Sequence, residues 1–421
     1  MSESETHLFR HEYGRLVAIL SRQVGVQHIG RIEDAVQSAL MKAVQDWGRN
    51  GQPEQPAAWL YRVAHNELIG EMRKSRRQAQ LLEQFATDLA PNVQDELHQV
   101  LPGEMRDDLL RMLFVACDEV LPAESQLVFA LKTLCGFNVP EIAQRLFMSE
   151  AAVYKRLARA RDKLKAQPVR IDQLDAEHCR PRLANVLKTI YVLFTEGHLS
   201  SHADAAIRCE LCDEAIRLAT VLVEHPVGQV SECFALLALM HLHRARLSAR
   251  LDGGGGLLLL EDQDRSRWNQ KQIGLGLSYL SQSAQGDQFT RYHAEAAIAA
   301  EHCMAPSFDQ TRWHKIVEYY DLLEHAAPSP IHALNRAVAV AEWQGPQAAL
   351  AALEAFPTPQ WLLDSYLWSA VMADLHRRAG HSKSAKRFHQ QALKMAPTDA
   401  IRALLQQRLK TALRSTRQDS T

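Results

Sequence analysis

The sequence has no apolar run approaching the roughly 18 uninterrupted residues of a membrane span, and its first residues, MSESETHLFR, lack the apolar core of a signal peptide. We therefore predict a cytoplasmic protein. The seven cysteines are an odd number scattered over 421 residues, which favours buried reduced thiols over a disulfide framework. GxxxxGK[ST] and GxGxxG motifs are also absent, so we predict no cofactor and no nucleotide-dependent chemistry.

Alternating Val, Ile and Thr runs, which would indicate β-strands, are few, whereas Ala-, Leu-, Arg- and Gln-rich segments with helical periodicity extend from end to end. The predicted fold class is all-α. Proline, glycine and polar clusters predict breaks at residues 50–56, 90–92, 167–168, 253–256 and 327–330. The formal net charge is only −1, so any affinity for DNA must come from local basic patches.

One such patch lies in residues 138–165, NVPEIAQRLFMSEAAVYKRLARARDKLK. Apolar residues recur there at helical spacing and are interrupted once near Met148, where Ser149 can cap the following helix. The second helix is strongly basic, so it can meet phosphates and base edges in the major groove. A solvated basic helix is the alternative, but the turn, the cap and the apolar stripe together favour a helix-turn-helix.

A second basic segment, residues 59–77, combines aromatic and amide groups with cations. Trp59, Tyr61 and Asn66 suit unpaired bases, while Arg62 and its basic neighbours suit a phosphate backbone. Taken alone, the segment fits an ordinary core face better, because its apolar residues have helical spacing.

Both basic segments, in this order, resemble an extracytoplasmic-function sigma factor, a small specificity subunit of bacterial RNA polymerase. The resemblance implies a core-polymerase docking and minus-ten domain at 1–80, a linker at 81–100 and a minus-thirty-five helix-turn-helix domain at 101–167. It implies that core RNA polymerase is contacted by residues of the acidic segment IEDAVQ, namely Glu33, Asp34 and Gln37.

The resemblance also assigns two sets of promoter DNA contacts. The expected minus-ten contacts are Trp59, Arg62, His65, Asn66, Arg73, Lys74, Arg76 and Arg77. The expected minus-thirty-five contacts are Ser149, Ala151, Ala152, Tyr154, Lys155, Arg156, Arg159 and Arg161. Ala151 and Ala152 suit thymine methyl groups, and the cations suit phosphates or base edges.

About 250 further residues follow, and segments such as 182–198 and 260–268 resemble the sigma-factor subgroup with a large tetratricopeptide-like extension. We expect this helical domain at 179–415. Gly345 and Gly380 lie 35 positions apart in similar surroundings, which is close to the tetratricopeptide period. Stacked helix pairs form surfaces that bind other domains, so the extension is expected to dock within the chain or to bind a protein partner.

Two clusters raise other hypotheses. His198, His202, Cys209 and Cys212 have spacings compatible with zinc, but Cys212 also fits an apolar stripe, and no metal site is predicted. The acidic segment 261–268 suggests acid–base chemistry, but no nucleophile or cofactor motif accompanies it. It fits a salt-bridged loop or docking surface better.

The favoured function is therefore a sigma factor, not an enzyme, that recruits core polymerase to specific promoters and assists their opening, with a C-terminal domain that modulates it. Two alternatives remain. One is a one-component helix-turn-helix regulator with a ligand- or protein-sensing C-terminal domain. The other is an enzyme fused to a DNA-binding module, with its chemistry near residues 261–268.

Overall fold

A computed structural model describes residues 3–83, 108–146, 148–167, 169, 176–198, 207–253, 256–286 and 288–407. The predicted linker at 81–100 lies almost wholly outside the described residues. Within the described ranges the chain is helical and contains no β-strand; an antiparallel bridge joins Leu251 to Leu257. The all-α prediction is confirmed.

The α-helices of the described residues are α1 (Glu3–Val24), α2 (Ile29–Asn50), α3 (Pro56–Glu83), α4 (Asp108–Ala116), α5 (Ala123–Thr133), α6 (Val139–Arg145), α7 (Glu150–Ala166), α8 (Ala176–Cys179), α9 (Leu183–His198), α10 (Cys209–Glu224), α11 (Ser231–Arg246), α12 (Gln270–Ser283), α13 (Arg291–Met304), α14 (Trp313–Ala326), α15 (Pro330–Gln344), α16 (Pro346–Glu354), α17 (Gln360–Leu363), α18 (Tyr366–Arg378) and α19 (Ser382–Met395). Residues 399–407 are also helical.

The chain divides into two compact units. The first comprises Met1–Ile190 with His225–Val227, and the second comprises Tyr191–Glu224 with Gly228–Thr421. The division falls within α9, so the first unit extends beyond the predicted break at 167–168. We describe each unit separately.

Helices α1 to α3 form the three-helix module of the first unit. The apolar stripe of α2 is buried through Ile32, Val36 and Ala39, and α3 contributes Leu60 and Leu68. These positions recur every three or four residues, which is why one face of each helix leaves water. The opposite faces carry exposed polar residues that the sequence singles out, among them Asp34 and Gln37 on α2 and Arg62 and Asn66 on α3.

Helices α4 to α7 form the helix-turn-helix module, and its core contains the fully buried rings of Phe114, Phe129 and Phe137. Residues at the start of α9 and in the turn just before it also bind this module. Arg182 forms an ion pair with buried Asp118, and the Asn185 amide donates a 2.7 Å hydrogen bond to Gln126. The start of α9 therefore completes the module.

The second unit is built around α11, which is buried along most of its length and packs against α10, α12 and α13. Farther along, α14 to α19 pack on their neighbours in sequence, as expected for a helical repeat. Gly345 and Gly380 follow α15 and α18 with φ of 94° and 80°. Their left-handed backbone, which favours glycine, explains the 35-residue recurrence in the sequence.

Candidate nucleic-acid interface

Two side-chain caps fix the helices of the helix-turn-helix. At the start of α6, the Glu141 backbone N–H donates a 2.8 Å hydrogen bond to the Asn138 side chain, and the Asn138 backbone N–H donates a 2.7 Å bond to the Glu141 carboxylate. This capping box satisfies two donors that the helix leaves unpaired. At the start of α7, the Ala152 backbone N–H donates to the Ser149 hydroxyl at 3.3 Å, which confirms the predicted cap.

The buried stripe of α7 determines which side chains face water. Val153, Leu157 and Ala160 pack inward. The opposite side exposes Ala151, Tyr154 and Lys155, together with the capping Ser149, while Ala152 and Arg156 are half-buried. Tyr154 is 60% exposed, although a tyrosine ring usually buries part of its surface. This face presents apolar, aromatic and cationic groups side by side, which are the types that read major-groove edges.

On α3, the predicted minus-ten residues also share a face. Arg62, Asn66 and Arg73 are separated by four and seven positions and are all exposed, as is Lys74. His65 is half-buried, its ring 5.7 Å from that of Tyr61. The side chains of Arg76 and Arg77 lie outside the described residues.

Trp59 lies at the edge of the α3 face and is only partly buried. Its ring packs edge-on against buried Trp47, with the ring centroids 5.6 Å apart. Trp47 thus contacts one side of the Trp59 indole, and part of the Trp59 surface stays exposed. Trp59 can therefore serve both as a core residue and as a stacking surface.

Three segments of the chain match known protein families. Residues 8–78 match Sigma-70 region 2, residues 111–164 match Sigma-70 region 4, and residues 182–284 match a family of unknown function (DUF6596). The ECF RNA polymerase sigma factor SigL of Mycobacterium tuberculosis is 30% identical over 37% of this chain and 85% of its own length. The chain belongs to the extracytoplasmic-function sigma factors.

Two further relatives define the extent of the likeness. RNA polymerase sigma factor NccH of Alcaligenes xylosoxydans xylosoxydans is 29% identical over 37% of this chain and 81% of its own. An uncharacterized protein of Rhizobium meliloti is 35% identical over 90% of this chain and 89% of its own, so it includes the C-terminal extension. No solved structure matches the chain.

The predicted polymerase contacts of this sigma factor separate into two groups. Asp34 and Gln37 are exposed on α2. The side chain of Glu33, by contrast, is only 3% exposed and its carboxylate is occupied, while its contact with the polymerase stays a prediction. It accepts hydrogen bonds from Arg161 at 2.9 Å and from the Thr133 hydroxyl at 2.8 Å. Glu33 therefore cannot meet a partner in this arrangement.

Two of the predicted minus-thirty-five arginines also have carboxylate partners within the protein. Arg161 binds Glu33, and Arg159 donates a 2.6 Å hydrogen bond to Glu124. Both side chains of the Arg159–Glu124 pair are about half exposed, so this pair contributes only about 0–1 kcal/mol and can yield to a phosphate. Arg161, by contrast, is held by a buried acid.

Sequence reasoning missed two residues of the α2 face. Met41 and Val44 are 62% and 43% exposed, and they continue the row of Asp34 and Gln37 at spacings of four and three positions. A row at positions 34, 37, 41 and 44 lies on one side of a helix. The helical spacing alone was the signal for this exposed strip, in which Met41 and Val44 are apolar and Asp34 is the acid.

The structure describes three of the four residues of the histidine–cysteine cluster. Cys212 is buried and its thiol lies 3.6 Å from the Phe194 carbonyl oxygen, whereas Cys209 is exposed. His202 lies outside the described residues, and no group of three metal-ligating side chains occurs among the described ones. Of the seven cysteines, five are buried, Cys303 is intermediate and Cys209 is exposed.

Within the acidic segment, Asp264 caps a short turn. Asp264 accepts hydrogen bonds from the Ser266 backbone N–H at 2.9 Å and from its hydroxyl at 2.6 Å, and this lowers the pKa of Asp264. Arg265 and Arg267 donate to backbone carbonyls. Among the described helices, none is long and apolar enough to cross a membrane.

Proposed function

We propose that this sigma factor recruits core RNA polymerase through α2 and directs it to promoters through the exposed faces of α3 and α7, acting in the cytoplasm. The observation that carries the proposal is the presence of two cation-rich faces, on different modules, together with an exposed strip of one acidic, one amide and two apolar side chains at Asp34, Gln37, Met41 and Val44. Two DNA-binding faces suit two promoter boxes, and large apolar side chains exposed on a helix suit a protein partner.

The minus-ten face supports an additional role in strand opening. Unstacking a base costs a few kcal/mol, and stacking on an aromatic ring together with hydrogen bonds to amides offsets part of that cost. Trp59 offers a partly open indole and Asn66 an exposed amide on the same helix as Arg62. We assign capture of unpaired bases to these side chains.

The packing of the two modules bears on when the factor can act. Boxes near positions −35 and −10 lie about 25 base pairs apart, or about 85 Å of B-DNA. In the first unit, however, α1 packs against α4 and α5, and Arg161 of α7 binds Glu33 of α2. Modules in direct contact cannot reach two such distant boxes. We therefore assign this arrangement to a resting factor whose modules separate on the polymerase.

The test is reconstituted initiation with purified core polymerase on a promoter template. We expect the full chain to bind polymerase and support initiation. Replacing Arg156 and Arg159 with alanine should weaken promoter binding about tenfold or more, because each lost phosphate or base contact removes about 1–3 kcal/mol, and polymerase binding should persist. Equal loss of both activities would contradict the division of roles, and failure of the full chain to bind polymerase would exclude the sigma function.

The role of the second unit requires two truncations. A chain ending at Ile190 keeps Arg182 and Asn185, which bind the helix-turn-helix module, whereas a chain ending at residue 167 loses them. We propose that the second unit modulates initiation by docking or by binding a partner. The chain ending at Ile190 should then differ from the full chain in initiation while retaining promoter binding. If only the chain ending at residue 167 differs from the full chain in initiation, the difference is due to a less stable helix-turn-helix module.

A further inference from the structure

The second unit contains a buried tryptophan, Trp268, with two arginine guanidinium groups lying over its ring. The guanidinium carbons of Arg246 and Arg265 lie 5.3 Å and 4.5 Å from the centre of the Trp268 ring. Trp268 is 3% exposed and Arg246 is 9% exposed, while Arg265 and the nearby Arg250 are partly exposed. We call Arg246, Arg250, Arg265 and Trp268 the arginine–tryptophan cluster.

Several hydrogen-bond donors of this cluster have no acceptor. Arg265 is oriented by its Nη1, which donates 2.7 Å bonds to the carbonyls of His302 and Ala305. Its Nη2, the Nε of Arg246 and the indole Nε1 of Trp268 are all buried without a partner within the described chain. Such groups are rare in native proteins, and a bound water molecule or ion beside them is one physical reason for them.

The positive charge of the cluster is also uncompensated. In the described part of the chain, no carboxylate lies close enough to act on Arg246, Arg250 or Arg265. Burial lowers the pKa of all three, with that of Arg250 reaching about 10, and Arg246 and its two arginine neighbours disfavour one another's charge. Arginine nevertheless stays protonated at neutral pH.

Neighbouring titratable groups do not supply the missing negative charge. Burial raises the pKa of the Cys303 thiol to about 11, so it is neutral at pH 7 despite the adjacent arginines. Burial and the same arginines lower the pKa of His302 to about 3 and that of His243 well below its usual value. The surroundings are therefore neutral, and a buried cationic cluster without a counter-charge is expensive.

We propose that the arginine–tryptophan cluster is a binding site for a small oxyanion, a phosphate or carboxylate group of a low-molecular-weight ligand. Every unsatisfied group named above is a donor, so the complementary ligand must accept hydrogen bonds. Guanidinium forks match two oxygens of phosphate or carboxylate at once. Because Arg246 and Trp268 are almost fully enclosed, the ligand group must be small. This site is independent of promoter recognition and gives the second unit a ligand of its own.

The experiment uses the full chain with inorganic phosphate and, separately, acetate as probes, with chloride added to keep ionic strength constant. Calorimetric titration should show that one phosphate or one acetate binds per chain. The melting temperature of the protein should rise as the concentration of that anion increases. Arg246→Met should weaken this binding about tenfold or more, as expected for loss of charge-assisted hydrogen bonds. Binding of one probe and not the other identifies which oxyanion the site takes.

Melting temperatures give a second, distinct signature. In chloride alone, Arg246→Met should melt at or above the wild type, because it removes a buried unpaired charge; in the binding anion the order should reverse. Trp268→Phe, which keeps the ring and removes the indole N–H, provides a second variant if Arg246→Met misfolds. It should bind the anion more weakly than the wild type.

Two controls separate the cluster from other cations. Arg387→Met removes an exposed arginine that also lies over an aromatic ring, 4.7 Å from Phe388, and should bind like the wild type. The Arg156→Ala and Arg159→Ala pair, which affects the promoter face, should do the same. The proposal is overturned if neither probe binds the wild type beyond chloride, or if Arg246→Met and Trp268→Phe both bind as the wild type does.

Discussion

Arg161 of α7 binds Glu33 of α2 through two nitrogens, with Nε 2.9 Å and Nη2 2.7 Å from the same carboxylate oxygen. The other oxygen of Glu33 accepts the Thr133 hydroxyl at 2.8 Å. The acid is buried while Arg161 is 39% exposed, so the pair is shielded from water on one side only. One ion pair thus joins the proposed polymerase-docking helix to the proposed promoter helix.

Removing the charge of Glu33 should loosen this contact. Glu33→Gln keeps the size and the Thr133 hydrogen bond but leaves Arg161 without its counter-charge. Breaking a buried pair costs about 3–5 kcal/mol, and we expect about 1–3 kcal/mol here because Arg161 is partly solvated. Hydrogen exchange should accelerate in α2 and α7 together. Asp34→Asn, one position away and exposed, should leave exchange unchanged; equal acceleration in both variants would contradict the role of the pair.

A glycine allows the same two modules to approach closely. A Cβ added to Gly14 of α1 would lie 1.8 Å from the carbonyl oxygen of Leu134, so Gly14→Ala must push the backbones apart. If the packed arrangement is a resting state, this variant should bind core polymerase and promoter more readily. Gly30→Ala is the control, because nothing lies within 4 Å of the added Cβ. Unchanged polymerase binding by a folded Gly14→Ala variant would argue against a resting state.

The capping box predicts a stability effect on the promoter-reading module. Asn138→Ala removes the acceptor for the Glu141 backbone N–H, whereas the backbone N–H of residue 138 can still donate to the carboxylate of buried Glu141. We expect a loss of about 1–2 kcal/mol, and weaker minus-thirty-five binding because α6 supports α7. Ser149→Ala, which removes a longer 3.3 Å bond at an exposed cap, should cost less. Thermal unfolding followed by circular dichroism measures both.

The pKa of His302 predicts how the second unit responds to acid. In the unfolded chain a histidine titrates near 6.5, whereas burial and the neighbouring arginines lower the pKa of His302 to about 3. Between pH 3 and pH 6.5, His302 therefore binds a proton in the unfolded state but not in the folded state. Stability is fully present above pH 6.5 and falls towards pH 3, by up to about 1.4 kcal/mol per pH unit from this residue.

Replacement of His302 with glutamine should reduce that slope, as measured by chemical denaturation at several pH values. His314, which is exposed, offers the matched replacement His314→Gln, and its slope should equal that of the wild type. A wild-type stability that does not change between pH 6.5 and 4 would show that His302 is accessible to protons in the folded state.

Most of the helices and their faces could be predicted because they depend on local chemistry. The Ser149 cap, the buried row from Val153 to Ala160 and the glycines at 345 and 380 each follow from helical periodicity or from backbone preference. Contacts between residues far apart in sequence could not be predicted in this way. Glu33 and Arg161 are separated by 128 positions, and no periodicity relates them.

The same limit applies to the arginine–tryptophan cluster. In the sequence, the acidic residues beside Trp268 suggest a possible site. In the structure, Asp264 caps a turn, and the side chains that lie over the Trp268 ring are those of Arg265 and of Arg246, which is distant in sequence. Arg246 ends α11, and Trp268 follows a turn more than twenty residues later. Spacing alone gives no reason for those two side chains to meet.

By itself, the sequence determined an all-helical chain, the two basic helices, the Ser149 cap of α7 and the family, because each is encoded in residues within a few turns of one another. Tertiary structure alone decided which of the named side chains are accessible. It buried Glu33 against Arg161, left Asp34 exposed, and enclosed Arg246 beside Trp268. The physical reason is that burial and ion pairing depend on which distant surfaces pack together, and the local pattern of a helix does not specify its neighbour.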